Sequence, residues 1–328
     1  MSELRLDPLT LEWITVAAKR LGRPVTTSAV ACPFCPVAPD ASPEARAASE
    51  APRADYGVAV FQNRFPSFGG PDAPAPGPFA PGYRVAPAVG HAEIVLYSPL
   101  HDVHLATIPE AQVRLLVEVW RDRTEALYAD PAVEYVFPFE NRGREVGATI
   151  DHPHGQIYAY PFIPPRIATE LAVGRAHREG EGECLQCALL RRERIEGRRL
   201  VDAEGDWSAF VPFAPRFPSE VHLVPGRHAG RLAACAGAEM ADLARLLQRS
   251  VRRYDALYDS PMQYMMCIYQ SPRLCIPADL WHLRIAFYPL YRARKRLKYL
   301  AGSESGAGAF LQDATPEAMA AALRSVAV

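Results

Sequence analysis

No run of roughly eighteen or more apolar residues occurs in the 328-residue chain, which excludes a helical membrane span. The amino-terminal stretch MSELRLDPLTLEWITVAAKR has no uninterrupted apolar core of the kind a secretory signal carries. Net charge is equally scarce. Thirty-six lysines and arginines against 37 aspartates and glutamates leave a formal charge of -1, so there is neither a basic field for nucleic acid nor an acidic tail. Cysteine is sparse and odd in number, seven in all, which excludes a complete disulfide framework. The expectation is a soluble cytoplasmic protein with no nucleic-acid or membrane partner. What is present is apolar material: 49% of residues are hydrophobic, over a length that suits two domains or one domain built from two similar halves.

Residues 36–55 and 69–90 are rich in Pro, Ala and Gly and read as loops. Strands are expected at 58–61, 92–97, 134–139 and 155–159, and a helix at 109–129, where Val113, Leu116, Val117, Trp120, Thr124 and Leu127 recur at helical spacing. The second half restates this order. CPFC, FQNRFPSF, YSPLH, a helix and HPHGQ are followed by CLQC, FVPFAPRFPSE, HLVPGRH, a helix at 238–258 and WHLRIAFYP. From second cysteine to first histidine is 66 residues in one half and 41 in the other, and from that histidine to the next 51 and 54. Two halves, 1–165 and 166–328, are therefore expected as a duplicated α+β unit, each an antiparallel sheet flanked by helices.

A Cys-x-x-Cys with two later histidines supplies the four borderline-soft ligands of a tetrahedral structural Zn²⁺ site. In the first half these are Cys32, Cys35, His101 and His152; His104 is a rival to His101, but the repeat sets SPLH opposite VPGRH and favours His101. In the second half they are Cys184, Cys187, His228 and His282. Cys235, Cys267 and Cys275 read as buried apolar positions.

The run His152-Pro153-His154-Gly155-Gln156 carries the chemistry. In a strand, His152 and His154 face the same way about 6.5 to 7 Å apart, so one can hold a metal while the other faces a substrate. A neutral imidazole at His154 can attack phosphorus, and a backbone carbonyl on its other ring nitrogen would set the reactive tautomer. Gly155 is expected to let a phosphate approach the backbone, and Gln156 to donate a hydrogen bond to a non-bridging oxygen.

HPHGQ, preceded by Phe139-Glu140-Asn141, resembles the motif of the galactose-1-phosphate uridylyltransferases of the histidine triad superfamily, and the resemblance extends over nearly the whole chain. It implies a duplicated histidine-triad-like fold, uridylylation of His154, a metal-ligand role for His152, and a homodimer with residues of both subunits in each site. It maps nucleotide contacts onto Arg20, Arg23, Phe34, Asn63, Asn141, Thr149 and Gln156, and sugar-phosphate contacts onto Lys298, Tyr299, Gly302 and Glu304. The implied reaction is ping-pong: UDP-glucose donates UMP to His154, and galactose 1-phosphate takes it.

This chain departs from the family at Arg284 and Ala286, where relatives carry His and His or Glu. Neither a second nucleophile nor an iron-type site with Glu170 is expected; Arg284 reads either as a partner for phosphate or carboxylate or as a solvated side chain beside Trp281 or Tyr288. Ala148 and Arg64 also depart from some relatives. A nucleotidyltransferase or phosphorylase for another sugar phosphate or nucleotide stays open beside the galactose reading, as does a zinc-stabilised nucleotide-binding protein without turnover.

Overall fold

The computed structural model describes residues 2–18, 20, 32–37, 40, 42, 44, 48–51, 56–69, 73, 77, 79–258 and 260–328; Arg23 lies outside them, as do parts of both Pro-rich stretches. The strands are β1 (Ser2–Leu6), β2 (Trp13–Ala17), β3 (Ala59–Gln62), β4 (Val85–Pro87), β5 (His91–Leu96), β6 (Tyr135–Arg142), β7 (His154–Tyr160), β8 (Leu200–Glu204), β9 (Trp207–Phe210), β10 (Val221–Pro225), β11 (Tyr264–Tyr269) and β12 (Arg284–Pro289). The helices are α1 (Glu110–Tyr128), α2 (Pro165–Glu181), α3 (Leu185–Glu196), α4 (Gly237–Leu257) and α5 (Pro316–Ser325). The chain is thus α+β. The second Pro-rich stretch is not loop throughout, because β4 pairs with β1, its Pro87 at the strand end where a missing N–H is tolerated.

Among the described residues, nine strands form one antiparallel sheet in the order β3-β5-β7-β6-β11-β12-β10-β9-β8. The repeat is visible in that order: β5, β7 and β6 of the first half correspond to β10, β12 and β11 of the second, and the two sheets join edge to edge through β6 and β11. Joining protects two edges that would otherwise present unpaired backbone groups.

One face of the sheet carries a single core spanning both halves. Val113, Leu116, Val117 and Trp120 of α1 and Leu243, Leu247, Val251 and Tyr254 of α4 pack over Val95, Val136, Ile157, Met266 and Ile285. The other face differs between halves. On β7 the residues alternate, His154, Gln156, Tyr158 and Tyr160 half-buried and Gly155, Ile157 and Ala159 buried. Every residue of β12 is buried, because Ile167 of α2, Phe217 and Trp281 cover Ala286 and Tyr288. The first half therefore leaves its sheet face open along β7, whereas in the second α2 covers Ala286 and Tyr288.

Glu140 sits at the seam, buried, with Tyr97 Oη 3.5 Å and Tyr264 Oη 3.3 Å from its carboxylate oxygens. Burial pushes it up to about 7 from its ordinary 4.5, against the pull of Arg142 and both hydroxyls. A carboxyl raised in the folded state contributes stability below about pH 4.5 that is lost as pH rises through about 7. The shift corresponds to on the order of 3 kcal/mol at most. The melting temperature should fall between about pH 5 and pH 8, and Glu140→Gln should flatten that slope; an unchanged slope in the variant would show that another group sets it.

Candidate active site and metal centres

Cys32 and Cys35 lie on a turn before β3, His101 follows β5, and His152 lies two residues before the first residue of β7. The ligand atoms of these four residues all fall within 4.8 Å of one another. Cys35 Sγ is 3.4 Å from His101 Nδ1 and 3.6 Å from His152 Nδ1. His152 Nε2 stands 2.8 Å from the Ser98 carbonyl, which can only accept, so Nε2 carries the proton and Nδ1 turns its lone pair to the thiols. Burial first, with His101 and His154, pushes His152 down to about 4, a neutral ring fit to ligate. Burial and then Cys32 raise Cys35 to about 12, so a metal must displace its proton. His104 stays apart, its Nδ1 3.9 Å from the Asp255 carboxylate.

The second half repeats the arrangement. The ligand atoms of Cys184, Cys187, His228 and His282 meet the same limit, with Cys187 Sγ 3.5 Å from His228 Nδ1 and 3.3 Å from His282 Nδ1. His282 Nε2 is fixed by the Pro225 carbonyl at 2.9 Å. Cys184 stands immediately before the first residue of α3, and hydrogen bonding from Cys187, then from His228 and His282, favours its thiolate. Both donor sets fit a divalent ion that accepts sulfur and nitrogen. Of the other cysteines, Cys235 and Cys267 are buried as expected, and Cys275 is only half-buried.

β7 begins at His154, so His152 lies in the bend ahead of the strand rather than within it. The two rings still flank Phe34, at 6.3 and 5.1 Å between centroids. His154 Nδ1 is 2.7 Å from the His152 carbonyl and therefore carries the proton. Nε2 is left with its lone pair and no hydrogen-bond partner among the described residues. Burial lowers the pKa of His154, opposed by that carbonyl, and keeps the ring neutral. A neutral imidazole with a free, fixed Nε2 is a nucleophile.

His154 lies between two hollows. One, of 50 Å³, is lined by Phe34, Asn63, Asn141, Thr149 and Gln156, all five expected from the sequence. The other, of 310 Å³, opens over His101, Asn141, His152 and Met262. Gln156 Oε1 is buried without a hydrogen-bond partner among the described residues, and rotation of the amide presents either an acceptor or a donor to whatever fills the cleft. Glu50, Phe65 and Ile94 also line it, unforeseen from sequence. Phe65 could have been read from its place two residues after Asn63, whose Oδ1 accepts its N–H at 2.8 Å. Glu50 stands in a Pro/Ala-rich stretch with no periodicity; its N–H reaches the Pro33 carbonyl at 2.6 Å and so lays it across the cysteine turn.

Other expected contacts are not brought to His154. Arg20 binds Ser67 Oγ and, at 2.9 Å, Tyr158 Oη, beside a separate hollow farther along β7. Lys298, Glu304, Tyr299 and Gly302 follow β12 in sequence and line neither hollow at His154. Lys298 Nζ pairs with Glu304 at 3.0 Å and with the Leu311 carbonyl at 2.6 Å, and Tyr299 is 70% exposed. Neighbouring Phe310 anchors the segment on Phe217, in the second half. Arg284 is buried rather than solvated, and its partner is a carboxylate, Glu170.

Residues 1–164 match the galactose-1-phosphate uridyl transferase N-terminal domain, and residues 171–328 its C-terminal domain. A galactose-1-phosphate uridylyltransferase of Thermotoga maritima is 37% identical over 329 residues, covering 100% of this chain and 99% of its own. One of Streptomyces lividans is 35% identical over 274 residues, covering 83% of this chain and 70% of its own. A solved uridylyltransferase structure superposes with a TM-score of 0.84 at 34% identity, covering 98% of this chain and 97% of that one.

The expectation that Gly155 leaves room for a phosphate is corrected by the sheet's pleat. A Cβ there would point to the opposite face, onto the Tyr97 hydroxyl and 3.0 Å from the Phe139 carbonyl. Glycine is required by packing beneath the motif. Gly155→Ala should lower stability by about 1–3 kcal/mol, and Tyr97→Phe in the same chain should recover part of it. Melting curves check both, and an unchanged midpoint in Gly155→Ala would refute the packing requirement.

Proposed function

The chain belongs to the galactose-1-phosphate uridyl transferase family, and from that premise we propose that it transfers a uridylyl group between sugar phosphates through a covalent bond to His154. The observation that carries the reading is the His154 ring, its Nδ1–H spent on the His152 carbonyl and its Nε2, like Gln156 Oε1, without a hydrogen-bond partner among the described residues. In the first half-reaction Nε2 attacks the α-phosphorus of UDP-glucose. The N–P bond forms as the bond from phosphorus to the bridging oxygen breaks, and glucose 1-phosphate leaves with that oxygen's charge. The ring becomes cationic, and the Nδ1–H···O bond to His152 strengthens with it. In the second half-reaction a phosphate oxygen of galactose 1-phosphate attacks the same phosphorus, His154 departs neutral, and UDP-galactose is released. Gln156 donates to a non-bridging oxygen, and preorganised donors of this kind contribute about 10²–10³ in rate.

Both Cys₂His₂ sites are read as zinc sites. Bound there, zinc ties the turn before β3 and the bend before β7 together, and correspondingly in the second half, with no part in the bond changes at phosphorus. Four thiol ligands and free Cys235, Cys267 and Cys275 suit the reducing cytoplasm. No helix among the described residues is long and apolar enough to cross a membrane. The placement of Lys298–Glu304 away from its own His154 supports a homodimer in which each chain lends this segment to the cleft of the other.

Incubated with UDP-glucose, the protein should gain a UMP adduct by intact mass and lose it on addition of galactose 1-phosphate; His154→Ala should gain none. An adduct in His154→Ala would refute the nucleophile, and one that galactose 1-phosphate does not discharge would assign another acceptor. Metal analysis of protein purified without chelators should give two equivalents of zinc per chain, one for each Cys₂His₂ group. Less than about half an equivalent would reject both sites.

A further inference from the structure

The second half carries a counterpart of the catalytic cleft that the transfer reaction does not use. Arg284 follows His282 by two residues, as His154 follows His152. On the neighbouring strands, Ala286 faces His222 as Gln156 faces Ile94. Gln186 sits between Cys184 and Cys187 where Phe34 sits between Cys32 and Cys35. Over Arg284 opens a cavity of 360 Å³, against 50 Å³ for the slot at His154. That is room for a ligand of nucleoside size.

What occupies the anion's place is part of the chain. Glu170 of α2 forks onto the guanidinium of Arg284, Oε2 2.6 Å from Nη1 and Oε1 2.7 Å from Nη2, and Arg166 Nε holds Glu170 Oε1 at 3.0 Å. Arg284 is only 3% exposed while Glu170 is half-buried, and the two arginines hold its carboxyl below the ordinary value, so it stays ionised. A phosphate entering at Arg284 would have to displace Glu170 or lie against it, and both are unfavourable. The rest of the wall is largely apolar, its one further carboxylate, Glu193, being paired with Arg199 at 2.9 Å. Val173, Leu189, Phe210 and Phe213 line it with the Gln186 amide and the Thr169 hydroxyl, and Phe213 is 75% exposed at its mouth. Arg284 Nε and Trp281 Nε1, both on residues of this wall, are buried donors without partners among the described residues.

We propose that this cavity is a second, non-catalytic site for an uncharged heteroaromatic ligand, a nucleoside without its phosphate, with the ring against Leu189 and Phe213 and its polar edge at Gln186. The inference goes beyond the transfer reaction and stands whether or not His154 reacts. Equilibrium dialysis of the zinc-loaded full chain with uridine and with adenosine, at millimolar concentration, tests it. Binding of at least one nucleoside should include a site that Leu189→Trp abolishes and Phe213→Ala weakens roughly tenfold. UMP should not compete for that site. Leu189→Trp should keep the wild-type melting temperature and the UMP adduct at His154; if it does not fold, Phe213→Ala alone decides. Binding of neither nucleoside, binding that both variants leave unchanged, or equal competition by UMP would each overturn the proposal.

Discussion

The carbonyl of His152 accepts from His154 Nδ1 at 2.7 Å, and the rest of the first half is arranged around that hydrogen bond. Its direction depends on the His152 side chain, which Ser98 fixes from one side while the two cysteines and His101 gather on the other. With the ring turned to the sulfurs and the main chain bent just before β7, the carbonyl has one place to point. His152 thus joins the candidate metal site, through its side chain, to His154, through its carbonyl, and disturbing the first would displace the second.

Duplication supplies the scaffold, and asymmetry decides its use. The same sheet order, the same pair of cysteines and the same carbonyl-fixed histidine occur in both halves. The open sheet face does not. Over β7 it holds His154 and Gln156; over β12, α2 narrows it to the cavity at Arg284, which α2's Glu170 neutralises and which stacks 4.2 Å above Tyr269. A buried guanidinium is tolerated there because the carboxylate and aromatic ring replace its hydration.

Much of the site was legible because ligand chemistry follows residue type. Cys32, Cys35, His101 and His152 were found from order and spacing alone, and Phe34, Asn63, Asn141, Thr149 and Gln156 from the resemblance around them. The rest was hidden for identifiable reasons. In α2 only Ile167 and Gly174 are buried, so the helix shows little periodicity. The pairing of β6 with β11 leaves no motif in either strand. Gly155 was assigned to phosphate approach because sequence does not say which face of the pleat its missing Cβ would meet.

The sequence by itself determined the two Cys₂His₂ groupings, the duplicated α+β unit and the replacement of a second motif histidine by Arg284, and it singled out His154 as the candidate nucleophile, since each depends on residue identity and repeat spacing. Only the tertiary structure decided that the two sheets fuse, that Glu170 occupies the anion place of the second half, and that Lys298–Glu304 pack away from their own His154. Those outcomes depend on contacts between segments far apart in the chain, such as the 114 residues separating Arg284 from Glu170, which local pattern does not encode.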